Sequence, residues 1–544
     1  MLWTVNAFNK LFHRNEVYFS LFEPSNTLRW DGNIKKYRIC DGTGGCTLGE
    51  VIDAGGAPAV GSDGVISPTA RSIWSTTQDG PTIRLGGAGQ QMPDHSRREI
   101  YSYHSAIAPD PANPVDLGLP EYALNVANRG LYDQLLGFPD GDTSSDLDEL
   151  IQWIRGVDTE DEDQDGSITD NRWLIADPLH GSPLALTYGC VGGTSGTPCP
   201  DTGTNAIVKV LAAANDGSIR LFNGSNDPVL GGQEEWAFYP QQVLINQTPL
   251  KDNPQGDHIY GVDSTPTVIQ FDSDGDAIID PDKGEFVRAF FTMRRGGTSI
   301  FALDVTPDIS GGLVDNSTGK ITPQYLWRID GQSSLFPEFT NLGQTWSQPK
   351  PAFVRVPKSG GGSGDSEYKE VLIFGGGYDP NQDNGYGTSN IGNSIFIIDA
   401  ATGERIWWAS NEVVVDGNGD APDLVLAEMD YPIPSDIALL DANGDGATNR
   451  LYVGDMGGQV WRIDLDDQLG GGTSGPAASQ DQSSGARLAV LSNTNPAAAN
   501  IEDHRKFFYA PDVIQTDDTI FAGQEYDLVT IVSGDRTNPL EQDV

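Results

Sequence analysis

Thr265-Pro266-Thr267-Val268-Ile269-Gln270-Phe271-Asp272-Ser273-Asp274-Gly275-Asp276-Ala277-Ile278-Ile279-Asp280 decides the reading of this chain. Its first half opens a strand, because proline at the first position loses no ladder hydrogen bond and β-branched residues follow. Its second half places carboxylates at loop positions 1, 3, 5 and 9, Asp272, Asp274, Asp276 and Asp280, with the carbonyl of Ile278 at position 7. A hard cation such as Ca2+ takes six to eight oxygens at about 2.3 to 2.6 Å, which this spacing supplies.

The opener recurs as Ser182-Pro183-Leu184, Gln348-Pro349-Lys350, Ser435-Asp436-Ile437 and Ala510-Pro511-Asp512, at spacings of 83, 83, 87 and 75 residues through Thr265-Pro266. Each opener leads into an apolar strand, a Gly-rich hairpin and a second apolar strand. These modules lie at 210–222, 289–304, 371–399 and 451–464. Asn-Asp-Gly-Ser, Arg-Gly-Gly-Thr and Met-Gly-Gly-Gln supply the positive backbone angles of tight hairpins. An aromatic return strand follows, with Trp236, Trp327 and Trp407-Trp408 in comparable places. Four strands per unit, repeated, predict an all-β chain: a β-propeller with enlarged blades of about 80 residues and calcium-binding hairpins inserted in them. The 65 Gly and 34 Pro agree with such a turn-dense protein. Residues 1–170 read as a lead-in region that packs on or completes the propeller, with a helix at Ser145–Arg155. Residues 171–544 read as the blades, cut short at the C-terminus around Ser533 to Leu540 or closed by strands from the lead-in.

Two further runs share the acidic pattern. Asp441, Asn443, Asp445 and Asn449, with the carbonyl of Ala447, follow the opener strand of another unit, so this run occupies the same hairpin position as Asp272–Asp280. Its asparagines leave fewer charges, which predicts weaker binding. The run Asp161, Asp163, Asp165, with Ser167 at position 7, has Thr169 at position 9 and Asp170 one residue late. Asp416-Gly417-Asn418-Gly419-Asp420 is a fragment of the pattern. Position 12 is Lys283, Tyr452 or Arg172 rather than a bidentate glutamate, so none of these is an EF-hand. The competing account of each is an acidic turn held by Asx and Gly chemistry without metal.

A formal charge of −44 repels phosphate backbones and anionic lipid surfaces alike, so nucleic acid is not an expected partner. The four cysteines fall as two local pairs, Cys40 with Cys46 and Cys190 with Cys199. Two small disulfide loops and an oxidising compartment suit them better than zinc, which would need Cys-x-x-Cys or histidine partners. No apolar run approaches the roughly 18 residues of a membrane helix. The opening residues have no basic n-region or long apolar stretch, so an exported protein would have its true N-terminus elsewhere. His180 beside Ser182 reads as a structural histidine at a strand entry, since neighbours on one strand do not make a nucleophile with its base. Gly375-Gly376-Gly377 lacks the lysine of a phosphate loop, and Trp74, Trp236, Trp346 and Trp461 read as packing.

Phe22-Glu23-Pro24, Arg29 through Arg38, Trp153-Ile154-Arg155-Gly156, Asp177 through Pro183, Ala213 through Gly217, Phe301 through Thr306 and Tyr452 through Asp464 occur in an order that resembles the C-terminal region of the PilC/PilY family of type IV pilus tip proteins. The resemblance implies a calcium-binding propeller without enzymatic activity, secreted to the periplasm, outer membrane surface or pilus tip of a Gram-negative bacterium. It implies minor pilins as partners, with roles in pilus assembly, retraction control, adhesion and twitching motility. Any surface receptor would be met through N-terminal regions this sequence lacks. The family's acidic loop maps onto Asp272, Asp274, Asp276 and Asp280. A quinone-dependent dehydrogenase, also a calcium propeller, is the rival expectation, but no adjacent Cys-Cys pair supports it; an integrin-like adhesive propeller would have shorter units.

Overall fold

The computed structural model describes residues 2–4, 15–199, 206–313, 321–360, 362, 364–383, 387–469, 481–493, 504–517, 525–534 and 536. The C-terminal stretch Thr537 to Leu540, where the last repeat was read to break off, lies outside them. The chain is mainly β and divides into two compact units. One holds Met1–Ala108, Pro114–Phe291 and Ala302–Tyr325; the other holds Pro109–Asn113, Thr292–Phe301 and Leu326–Val544.

Each opener becomes the first strand of a sheet whose strands follow in sequence order. The first meander runs Leu184–Cys190, Ala206–Ala213, Ile219–Asn223 and Glu234–Tyr239, with Ile100–Ser102 added in parallel at its last strand. The second runs Thr267–Phe271, Phe286–Thr292, Ser299–Asp304 and Gln324–Asp330, with Val115–Asp116 at its edge; along these strands the chain passes from one unit to the other. The third runs Lys350–Pro357, Ser366–Gly375, Ile395–Asp399 and Arg405–Ser410, with Leu424–Val425 added in parallel. The fourth comprises Ala438–Leu440, Arg450–Gly454, Gln459–Asp464 and Ser484–Val490, and a two-stranded ribbon, Asp512–Asp517 with Glu525–Thr530, follows.

The hairpins between second and third strands take their turns as the glycines predict at Gly217 (φ 88°) and Gly458 (φ 71°). In the second meander the left-handed residue is instead Arg294 (φ 48°), and Gly297 is extended. In the third the connection is no tight hairpin but an insertion, 376–394, with a 3-10 turn at Pro380–Asp383.

In the first unit, a separate sheet of Leu2–Thr4, Glu16–Glu23, Asp31–Ile39 and Val51–Ile52 precedes the meanders. Tyr18 and Ile34 of this sheet, with Trp74, pack on Ala185, Val208, Val210 and Phe222 of the first meander. The helix Ser145–Arg155 forms where the sequence places it. The Ser144 hydroxyl accepts from the N–H of Leu147, Asp146 and Asp148 sit in the first turn, and Gly156 ends it at φ 110°. Its buried face is Leu147, Leu150, Ile151, Trp153 and Ile154, the spacing of an amphipathic helix. Arg98 ties the helix to the first meander, donating to the carbonyls of Ile154 and Arg155 and, in a two-point pair, to Glu234.

In the second unit, Val354, Val371, Ile373, Ile395, Ile397 and Trp407 of the third meander share one core with Leu451, Val453, Trp461 and Ile463 of the fourth. Both cysteine pairs form disulfides, Cys40–Cys46 and Cys190–Cys199.

Candidate metal centres

Asp272–Asp280 links the first and second strands of the second meander, and Asp441–Asn449 links the first and second strands of the fourth. The third run, Asp161–Asp170, lies after the helix, inside a bridge between Val157 and Asn171.

All three fold on one hydrogen-bond template. The position 1 carboxylate accepts from the position 6 N–H: Asp272 from Ala277 at 2.8 Å, Asp441 from Gly446 at 2.8 Å, Asp161 from Gly166 at 3.0 Å. The position 3 oxygen accepts from position 5: Asp274 from Asp276 at 3.3 Å, Asn443 from Asp445 at 3.3 Å, Asp163 from Asp165 at 3.2 Å. Position 5 accepts from position 7: Asp276 from Ile278 at 2.7 Å, Asp445 from Ala447 at 2.9 Å, Asp165 from Ser167 at 2.7 Å. Backbone donors thus orient every side chain, and the loop closes on its own oxygens. In the Asp272 loop this requires left-handed backbone at Gly275 (φ 68°) and at Ala277 (φ 65°).

Oxygens of Asp272, Asp274 and Asp276 lie within 4.8 Å of one another, as do those of Asp161, Asp163 and Asp165. Two oxygens held at about 2.4 Å by one ion can be no more than about 4.8 Å apart, so both trios meet the spacing limit for a calcium-sized ion, and their all-oxygen chemistry suits one. The Asp441 loop brings two carboxylates and the Asn443 amide to the same template.

The position 9 residues behave differently from the sequence expectation. Asp280 stands apart from the trio: its carboxylate caps the turn Pro281–Lys283 and accepts from Gly311 N–H at 3.1 Å and the Ser195 hydroxyl at 2.6 Å. The Ser195 hydroxyl and these backbone donors hold its carboxyl below the ordinary range despite some desolvation. Asn449 accepts from Ala442 N–H at 2.9 Å, closing the loop neck. Asp170, also outside its trio, accepts through its backbone carbonyl from Asp158 N–H at 2.9 Å. Ile278 and Ala447, at position 7, are buried.

Residues that sequence spacing did not single out surround both hairpin loops. Lys283 pairs with Asp274 and lies 3.5 Å from Asp276, a tethered cation at the trio. This hydrogen bond holds the Asp274 carboxyl low and the Lys283 ammonium high. Glu285, buried, accepts from Ser273 N–H and hydroxyl and from Asp280 N–H, so it braces the loop from behind. The disulfide loop of the preceding meander then clamps it: Gly196 N–H donates to Asp276 Oδ2, and Cys199 N–H donates to the Asp276 carbonyl at 3.0 Å. The Asp441 loop is held the same way by the strands before it. Arg355 reaches Asp445 at 3.0 Å, the Tyr368 hydroxyl donates to the Asp445 carbonyl at 2.7 Å, and Thr448 N–H donates to the Phe353 carbonyl at 2.7 Å. The Ala447 N–H and Arg355 hold Asp445 low. The only forward signal for the clamp was the Cys190–Cys199 spacing.

Asp416 does not adopt the template. It accepts from Asn418 and Asp420 N–H and pairs with Arg405 at 2.7 Å. His180 meets Asp263, at the next opener, with Nδ1 2.5 Å from Oδ2. Among the described residues no helix is long and apolar enough to cross a membrane.

No family model matches the chain. Over 339 residues it is 28% identical to the type IV pilus biogenesis factor PilY1 of Pseudomonas aeruginosa strain UCBPP-PA14, covering 60% of this chain and 24% of that protein. A type IV pilus biogenesis factor PilY1 homolog of Xylella fastidiosa strain Temecula1 is 27% identical over 264 residues, 48% of this chain and 14% of the relative. The chain therefore spans about a quarter or less of these relatives' length. The crystal structure of the Pseudomonas aeruginosa PilY1 C-terminal domain aligns at 21% identity with a TM-score of 0.35, covering 60% of this chain and 53% of that one.

Proposed function

We propose that this chain, a relative of the PilC/PilY family, is the calcium-binding propeller portion of a type IV pilus biogenesis factor. The consecutive meanders are its blades, and residues 1–170 pack on or complete them. It acts without catalysis, in the periplasm, on the outer membrane surface or at the pilus tip of a Gram-negative bacterium. There it engages minor pilins and the tip, supports assembly, tunes retraction and twitching motility, and contributes to adhesion, with any surface receptor met through other regions of the protein.

The observation that supports the calcium reading is the shared loop template, found at the same hairpin of two meanders and again in the Asp161 run outside them. The ligands we assign are Asp272, Asp274 and Asp276 in the first loop, Asp441, Asn443 and Asp445 in the second, and Asp161, Asp163 and Asp165 in the third. An ion that binds only the closed loop stabilises it by about 2.7 kcal/mol at a hundredfold excess over its dissociation constant. A pilin surface that reads the closed loop then becomes calcium-dependent.

Calcium titration by calorimetry, run beside a minor-pilin pull-down with and without chelator, tests both halves. Asp274→Ala is expected to lower calcium uptake and calcium-dependent pilin capture while leaving the circular dichroism of the folded chain intact. Unchanged titration in that variant overturns the site; calcium uptake with no capture of any minor pilin overturns the pilus role.

A further inference from the structure

Lys209, Asn223 and Glu235 form a trio on three adjacent strands of the first meander. Lys209 and Asn223 are direct register partners on the second and third strands. Such partners have Cβ atoms about 5 Å apart, within reach of a folded lysine side chain. Glu235 lies where the register of the fourth strand shifts between Glu234 and Trp236, and a bulge of this kind re-aims a side chain. Lys209 is 1% exposed and Asn223 4% exposed. A lysine this deep in a sheet is rare unless paired, and its partner is the Glu235 carboxylate.

The contacts assign a chemical role to each group. Lys209 Nζ and Asn223 Nδ2 both meet the same oxygen, Glu235 Oε1, the amide at 3.4 Å. The other end of that amide, Asn223 Oδ1, accepts from the backbone N–H of Ser225 at 3.0 Å. A buried amine and a carboxamide on register partners thus share one carboxylate oxygen. Its carbonyl oxygen is polarised by a fixed donor, and one carboxylate touches both the attacking nitrogen and the nitrogen that would leave.

We propose that Lys209 and Asn223 join in an intramolecular isopeptide bond, with Glu235 carrying the proton between them. Glu235 takes a proton from the Lys209 ammonium, and the freed amine attacks Asn223 Cγ. Charge that develops on Oδ1 is held by the Ser225 N–H. The Cγ–Nδ2 bond breaks as Glu235 returns the proton to Nδ2, and the amine's remaining excess proton follows to the departing nitrogen. The balance is a lysine ammonium and a carboxamide giving a secondary amide and one ammonium ion, with no redox partner. Gathered at one carboxylate oxygen, the two groups gain the large effective concentration of an intramolecular reaction.

Asn223 precedes Gly224, and an Asn-Gly pair has a competing route in which the glycine nitrogen attacks the same carbon. Here the Gly224 N–H is engaged with the Val208 carbonyl at 2.8 Å, which holds that nitrogen in the ladder. A neighbouring trio repeats part of the pattern: Lys36 Nζ and Asn226 Nδ2 meet Glu16 Oε1 at 2.8 and 2.9 Å. Asn226 is exposed, however, so water competes for its amide. The bond would lock the second strand of the meander to the third, and it depends neither on calcium nor on a pilus.

Intact-mass and tryptic peptide analysis of the purified, reduced chain tests it. The chain is expected to weigh less than its sequence by one ammonia. Trypsin should fail to cut after Lys209, and the peptides 173–220 and 221–251 should appear joined. Lys209→Arg, and separately Glu235→Gln, should restore the full mass and the free peptides in a chain that still folds. Full mass and free peptides in the folded wild-type chain overturn the proposal. So does an ammonia loss confined to 221–251 alone, which marks ring closure at Asn-Gly, or a bond at Lys36 and Asn226 instead.

Discussion

Gly196 and Asp276 stand 80 residues apart, and the N–H of the first meets a carboxylate oxygen of the second at 2.5 Å. The donor sits inside the loop closed by Cys190 and Cys199, so a disulfide in one sheet presents a donor to an acidic loop in the next. A hydrogen bond to a charged group contributes about 1.5 kcal/mol or more. Opening the disulfide loop with Cys190→Ser and Cys199→Ser is expected to weaken calcium at the Asp272 loop about tenfold. Calorimetry in a background carrying Asp161→Ala and Asp441→Ala measures it; an unchanged constant would show that the clamp does not shape the site.

Lys283 occupies the outer side of the Asp272 trio, touching Asp274 and approaching Asp276. An ion bound there as proposed would have to displace this ammonium. Lys283→Gln is expected to raise calcium affinity a few-fold at low salt, with the gain shrinking as salt rises. A titration series in potassium chloride reads both effects.

Asn443 already accepts the Asp445 N–H in the way Asp274 accepts that of Asp276, so Asn443→Asp preserves the turn and adds a charge. The variant should bind calcium several-fold more tightly at that loop. Equal affinity in the two forms would mean that position 3 is not a ligand there.

Asp455 is fully buried between the second and third strands of the fourth meander, where its carboxylate accepts from Trp461 Nε1 and the N–H groups of Gly457 and Gln459. Burial pushes its pKa up to about 7 against those donors. Between about pH 4 and pH 7 the folded chain then holds a proton that the unfolded chain has released, so this group makes stability fall as pH rises through that window. The contribution is of order a few kcal/mol. Denaturant unfolding in chelator should show the slope in the wild-type chain and a flatter profile in Asp455→Asn.

Arg98 and Glu234 form a two-point pair at 2.7 and 2.9 Å with both side chains essentially inaccessible. Arg98→Ala takes the donor from two helix-terminal carbonyls and leaves the buried Glu234 carboxylate to Arg220, whose Nε lies 3.6 Å from it. A loss of about 3 to 5 kcal/mol is expected in equilibrium unfolding. Adding Glu234→Leu should recover part of it, since the buried carboxylate that lost its two-point partner is then gone.

Much of the architecture was legible along the chain. The openers at Pro183, Pro266, Pro349, Asp436 and Pro511 stand at or just before first strands, and the helix begins and ends at Ser144 and Gly156. These are local effects: proline placement, capping and left-handed glycine act within a few residues. The long insertion at 376–394 and the left-handed Arg294 escaped because nothing in the neighbouring residues forbids a tight glycine hairpin there.

The acidic loops divide along the same line. Spacing by itself determined that carboxylates at positions 1, 3 and 5 converge, because the turn that gathers them is closed by hydrogen bonds spanning no more than five residues. Only the tertiary structure decided what each loop meets. Asp280 leaves the trio for Ser195 and Gly311, Asp276 gains Gly196, and Asp445 gains Arg355, each across 31 to 90 residues. Such pairings follow from the stacking of one hairpin on its neighbour, and apart from the Cys190–Cys199 spacing the order of residues along either hairpin does not announce them.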